Sequence, residues 1–165
     1  MKTILVVYHS QQHGNTKKMA ELVAQGCRQE PGVEVRLINV NDERVNIEAL
    51  EAADGLALGT PDYFSYMAGG LKQFFDDALL GSYSGKMTMG KPCVIFLTHG
   101  GGGAAVESVQ RLAKSLKYRE VAPPVLSKRA PEGDTIQHAI DLGRALAGEV
   151  VKARSRRWGN RYGVP

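Results

Sequence analysis

Ile4-Leu5-Val6-Val7-Tyr8-His9-Ser10-Gln11-Gln12-His13-Gly14-Asn15-Thr16 carries an unbroken apolar run into a short polar loop and then into a helix start. Four successive branched aliphatic residues show no polar alternation, so the strand they form is covered on both faces, as in a parallel sheet with helices on each side. Asn15 and Thr16 are residue types that open helices. Beyond them Met19, Leu22, Val23 and Gly26 recur at helical spacing, with Lys17, Lys18, Glu21 and Arg28 on the opposite face.

The same alternation runs outward through the rest of the chain. Leu56 to Leu58 and Val94 to Leu97 are further doubly covered strands. Leu71, Phe74, Phe75 and Ala78 mark one helix, and Val106, Val109, Ala113 and Leu116 mark another. A last helix from about Thr135 to Ala153 carries Ile136, Ala139, Ile140, Gly143, Leu146, Ala147 and Val150. Two strand candidates differ from these. Val33, Val35 and Leu37 alternate with Glu34 and Arg36, and the run Val121 to Leu126 contains Pro123 and Pro124, which cannot donate to a central ladder. Both are edge strands. With the second and last strands as edges, the expected fold is a single α/β domain over 1–153. It holds a doubly wound five-stranded parallel sheet of order 2-1-3-4-5 in a three-layer sandwich, followed by a basic tail over 154–165.

A chain of 165 residues with 43% hydrophobic and 23% charged residues can close one core unaided. The apolar stretch after Lys2 is too short for a leader and no later stretch reaches membrane length, so the expected location is cytoplasmic, with no membrane insertion. Cys27 and Cys93 are too few and too far apart for a disulfide framework, a metal site or a cluster, and read as buried thiols. The net charge of +4 lies largely in Lys152, Arg154, Arg156, Arg157 and Arg161, and no nucleic-acid signature accompanies it, so no nucleic-acid partner is expected. The tail, with Trp158 and Tyr162 among its arginines, reads either as a docked segment that bridges a homodimer or as a solvated charge run.

In a sheet of this order ligands bind beyond the carboxyl ends of the strands. Three loops leave from there. The first, Ser10 to Thr16 with Gly14, presents backbone N–H groups, the dipole of a helix N-terminus and the side chains of Ser10, Asn15 and Thr16, which suits a dianionic phosphate. It matches neither a dinucleotide nor a nucleoside-triphosphate fingerprint. The same residues would also cap a loop that holds no ligand. The second loop, Gly59-Thr60-Pro61-Asp62-Tyr63-Phe64-Ser65-Tyr66, puts three aromatics where polar residues are usual. They either face a flat ligand or fold under as a local core. The third loop follows Thr98 with His99 and four glycines, Gly100, Gly101, Gly102 and Gly103, which let the backbone approach a ring closely. His99 on its own reads as structural.

These residues carry a resemblance. Tyr8-His9-Ser10 with Gly14-Asn15-Thr16, the stretch from Gly59 to Tyr66, and Thr98 with its glycine loop resemble flavodoxin-like FMN proteins. The likeness is greatest to the branch of NAD(P)H:quinone oxidoreductases and NADPH-dependent FMN reductases. The resemblance implies FMN as cofactor, with its phosphate held by Ser10 to Thr16, including Gln12 or His13. It implies an isoalloxazine flanked by Pro61, Asp62, Tyr63, Phe64, Ser65 and Tyr66 on one side and by Thr98 to Gly103 on the other. It also implies NAD(P)H as co-substrate and a quinone-like electron acceptor. His99, if protonated beside flavin N1, would stabilise the reduced ring. The third loop lacks the aromatic that covers one ring face in electron-carrier flavodoxins, which leaves that face open. A carrier without its own substrate is the alternative, and a flavin-free regulatory protein on the same fold is a third.

Overall fold

The computed structural model describes residues 1–161, with side chains through residue 153. In chain order the elements are β1 (Lys2–Tyr8), α1 (Asn15–Arg28), β2 (Val33–Asn39), α2 (Ile47–Ala52), β3 (Gly55–Tyr63), β4 (Tyr66–Met67), α3 (Gly69–Tyr83), β5 (Pro92–His99), α4 (Val106–Ser115), β6 (Arg119–Glu120), β7 (Val125–Lys128) and α5 (Asp134–Arg161). The main sheet is parallel and runs β2-β1-β3-β5, with β6 and β7 both paired to the outer side of β5. This is the expected 2-1-3-4-5 winding.

Its last strand differs from the expected single run over Val121 to Leu126. Two short pieces, β6 and β7, replace it, and the gap between them contains Pro123 and Pro124. Two consecutive residues without N–H groups cannot sustain the ladder, so pairing stops and resumes. A second difference is β4, a two-residue strand antiparallel to the end of β3. It makes a hairpin of a segment expected to be a loop. A third is the length of α5, which runs on to Arg161, past the expected end at Ala153. The expected contact of Trp158 and Tyr162 across a homodimer lies outside the residues whose side chains are described.

Strand alternation splits the core into two layers. Ile4, Val6 and Tyr8 of β1, with Ala57, Val94 and Phe96, face α1 and α5. Leu5 and Val7, with Leu56, Leu58 and Ile95, face the layer that holds α3 and α4. On the first side α1 and α5 meet backbone to backbone. A methyl group at Gly26 would overlap the Ile140 carbonyl, and one at Gly143 would overlap the Val23 carbonyl. The Cys27 thiol donates to the Gly143 carbonyl at 3.3 Å. On the other side Lys91, half buried, donates to the carbonyls of Glu51 and Ala53 at 3.1 and 2.8 Å. Those carbonyls end α2 and would otherwise lack partners.

Both cysteines are free and buried. Burial pushes the Cys27 and Cys93 thiols up to about 12, whereas an unfolded chain ionises its cysteines near roughly 8.5. Burial likewise raises the Tyr118 hydroxyl, which donates to the Thr88 carbonyl at 2.8 Å. A group whose folded value is raised contributes stability that is complete below its unfolded value and is lost as pH climbs toward the folded one. Unfolding free energy should therefore fall between pH 8 and 10 by about 4 kcal/mol for the two thiols together. Urea midpoints at the two pH values measure it, and the double variant Cys27→Ala/Cys93→Ala should flatten the dependence. An equal slope in that variant would remove the thiols as its cause.

Candidate functional site

The carboxyl ends of β1, β3 and β5 open into a cleft of about 220 Å³, lined by Gln11, Gln12, His13, Asn15, Thr16, Pro61, Asp62, Tyr63, Thr98, His99, Gly100 and Arg129. All three loops singled out from the sequence contribute to it. The volume is smaller than that of a pocket enclosing a ligand of drug size. A ligand as large as FMN would thus keep part of its body outside.

The first loop is prepared from behind. Asn39, at the end of β2, accepts from the Ser10 N–H at 3.0 Å and donates to the Ser10 carbonyl at 2.9 Å, which fixes the exit of β1. The buried Ser10 hydroxyl oxygen accepts from the Lys17 N–H at 3.2 Å and so caps α1 from within the loop. The Ser10 hydroxyl keeps its own hydrogen to donate, and Gly14, at φ 71°, makes the turn into the helix. Gln12 is also left-handed, at φ 51°. Among the described residues no protein group accepts from the N–H groups of Gln12, His13, Asn15 or Thr16. The first turn of α1 contains no acidic residue that would neutralise the helix dipole. Free donors and uncompensated positive potential converge there.

His9 ties this loop to α3. Its Nδ1 accepts from the Gly70 N–H at 3.2 Å, so Nε2 carries the proton and donates to Gln11 Oε1 at 2.6 Å. Thr16 and Thr98 share a buried hydroxyl contact of 2.7 Å, which joins the first loop to the third.

In the second loop Pro61, Asp62 and Tyr63 line the cleft, while Phe64, Ser65 and Tyr66 form the exposed hairpin tip. Phe64 and Ser65 both sit at φ 59°, the left-handed pair that a two-residue hairpin turn demands and that glycine or asparagine usually supplies. Side chains hold the strained turn in place. Asp62 accepts from the Ser65 N–H through Oδ1 at 2.9 Å and from the Ala105 N–H through Oδ2 at 3.0 Å, which links the hairpin to the entry of α4. Thr60 Oγ1 accepts from the Ala68 N–H at 2.9 Å, and Ser108 Oγ from the Met67 N–H at 3.0 Å. No local aromatic core forms at the tip. Tyr63 alone makes a ring contact, edge-on to His9 at 6.1 Å.

In the third loop Thr98, His99 and Gly100 line the cleft. Gly101 to Gly103 lead away toward α4, with Gly102 and Gly103 at φ 103° and 71°. His99 Nδ1 is buried and has no hydrogen-bond partner among the described residues. An orphaned ring nitrogen at the wall of an open cleft fits a ligand that brings its own polar atoms. Free amides at one end and this nitrogen at another suit a phosphate joined to a polar heterocycle.

One lining residue outside the three loops does not stand out in the sequence, Arg129. Arg129 follows β7 directly, so the carboxyl end of the edge strand also borders the cleft. The basic pair Lys128-Arg129 at a strand end was the available signal.

The family model for NADPH-dependent FMN reductase matches residues 1–128. The chain is 45% identical over 107 residues to a flavodoxin of Aquifex aeolicus (strain VF5), a match covering 65% of this chain and 55% of that protein. It is 31% identical over 124 residues to an NAD(P)H dehydrogenase (quinone) of Geobacter sulfurreducens, covering 59% of this chain and 60% of that one. The chain thus spans little more than half the length of these curated relatives. Among solved structures an archaeal flavodoxin superposes with a TM-score of 0.75 at 27% identity, covering 90% of this chain and 98% of that one. Among the described residues no helix is long and apolar enough to cross a membrane, and no group of three potential metal ligands converges.

Proposed function

The chain belongs to the NADPH-dependent FMN reductase family of flavodoxin-like, FMN-binding proteins, and from that membership we propose an NAD(P)H-dependent oxidoreductase that passes electrons to a quinone-like acceptor. FMN, when bound, would supply the hydride-accepting and electron-passing chemistry. The residues of the chain bind and orient. The amides of Gln12, His13, Asn15 and Thr16 receive the phosphate, and the Ser10 cap and the Asn39 clamp keep them convergent. Pro61, Asp62 and Tyr63 border the ring on one side, and Thr98, His99 and Gly100 on the other.

The observation that carries this reading is the aromatic content of the cleft. Tyr63 is the one Phe, Tyr or Trp lining it among the described residues, so the third loop offers no lid over a ring and leaves a face for a nicotinamide. Under anaerobic conditions the FMN-loaded protein should lose its visible flavin band within minutes of adding NADH or NADPH. Persistence of the band with both nucleotides would sink the reductase reading.

The second reading, an electron carrier, is favoured by the 45% identity to a flavodoxin. It predicts no bleaching by either nucleotide and a stable one-electron stage in a dithionite titration. Against it stands the charge. Carriers of this kind present an acidic face, whereas this chain has a formal net charge of +4.

A further inference from the structure

We infer that Arg129 is a positioning residue for the negative charge that two-electron reduction places on the bound flavin ring, an inference that rests on the FMN-binding reading above. Three observations converge on this arginine. It lines the same small cleft as the free amides of the first loop, together with His99 and Gly100, so whatever fills the cleft lies against this residue. Its backbone sits at φ 64°, a conformation that arginine rarely adopts. Two bonds hold it there: its N–H donates to the His99 carbonyl at 2.8 Å, and its carbonyl accepts from Ser127 Oγ at 3.0 Å. Its backbone is thus held in a strained conformation, and such strain gathers at functional positions.

The third observation is charge. Among the described residues no carboxylate lies within ion-pair distance of Arg129. Asp62 is the one carboxylate lining the cleft, and each of its oxygens accepts a backbone N–H. The guanidinium charge is therefore uncompensated among the described residues, in a cleft whose wall also holds His99, with its orphaned Nδ1. The FMN phosphate could also attract an arginine, but the amides of the first loop, on another strand end, already provide donors for it. A hydride from the reduced pyridine nucleotide brings two electrons and one proton, so the ring gains one negative charge while the nucleotide departs oxidised. A cation at the cleft wall favours the reduced ring over the oxidised one.

The test compares affinities for oxidised and dithionite-reduced FMN in wild type, Arg129→Gln and Arg129→Lys, with riboflavin as a phosphate-free probe. Arg129→Gln should bind oxidised FMN within about threefold of wild type and reduced FMN about tenfold more weakly, which lowers the two-electron potential by about 30 mV. Arg129→Lys should recover most of that difference, and riboflavin should show the same ratio. Equal losses for both redox forms of FMN, with none for riboflavin, would make Arg129 a phosphate ligand and overturn the inference. Unchanged affinities in both forms would overturn it too. Failure of wild type to bind FMN at all would instead remove the functional reading beneath it.

Discussion

Asn15→Asp should make the empty protein slightly more stable and its grip on FMN about 100-fold weaker. Asn15 is the first residue of α1 and lines the cleft, and its side chain makes no hydrogen bond among the described residues. The exchange is nearly isosteric and leaves the empty fold undisturbed. An aspartate there faces the positive end of the helix dipole, a contribution of about 0.5 kcal/mol, or roughly 1–2 °C in melting temperature for a chain of this size. With a phosphate dianion on the adjacent amides the sign reverses. Like charges about 5 Å apart at the protein surface repel by several kcal/mol at an effective dielectric near 20, of which about 3 kcal/mol is a cautious share. Flavin fluorescence quenching gives the affinity and a thermal melt gives the stability. Riboflavin is the control, because without a phosphate it should lose almost nothing. Equal losses for the two flavins would show that this loop does not read the phosphate.

Gly143→Ala should destabilise the fold by about 3 kcal/mol, although alanine is favoured over glycine within helices by about 1 kcal/mol. The added methyl meets the Val23 carbonyl and the Cys27 N–H of α1, both of them backbone, so no rotamer change can relieve the overlap. Gly26→Ala meets the Ile140 carbonyl in the same way. Gly148 lies in the same helix, where an added methyl would meet nothing within 4 Å, so Gly148→Ala should stabilise by about 0.5–1 kcal/mol. Urea midpoints of the three variants share one reference. A neutral Gly143→Ala would mean that α1 and α5 do not approach this closely in solution.

The winding of the sheet was legible because the evidence for it is local and repeated. Uninterrupted runs such as Ile4 to Val7 and Val94 to Leu97 can only be central, and the alternation of Val33, Val35 and Leu37 can only be an edge. Pro123 and Pro124 marked the other edge, yet where pairing would resume after them depends on β5, which no local pattern in the run reveals. The hairpin at Phe64-Ser65 was hidden for a different reason. Its turn needs two left-handed residues, and neither phenylalanine nor serine advertises that conformation. Bonds from Asp62, Thr60 and Ser108, partly long-range, impose it. The clefts of such sheets always follow strand ends, so three of the four contributing loops could be named beforehand. Arg129 was passed over because an edge strand interrupted by prolines did not suggest that its far end reaches the centre. Ser10 and Gly14 carry structural work as well, as a cap and a turn, which their residue types alone do not reveal.

The interrupted outer strand also constrains how two copies of this chain can meet. A flat, continuous border invites a second molecule to extend the ladder. Here the β6–β7 side offers two short stretches separated by rings that carry no donor, and the β2 side bears Glu34 and Arg36. Self-association by adding strand to strand is thereby disfavoured at both borders, and helical faces are left as the ground on which a pair could form.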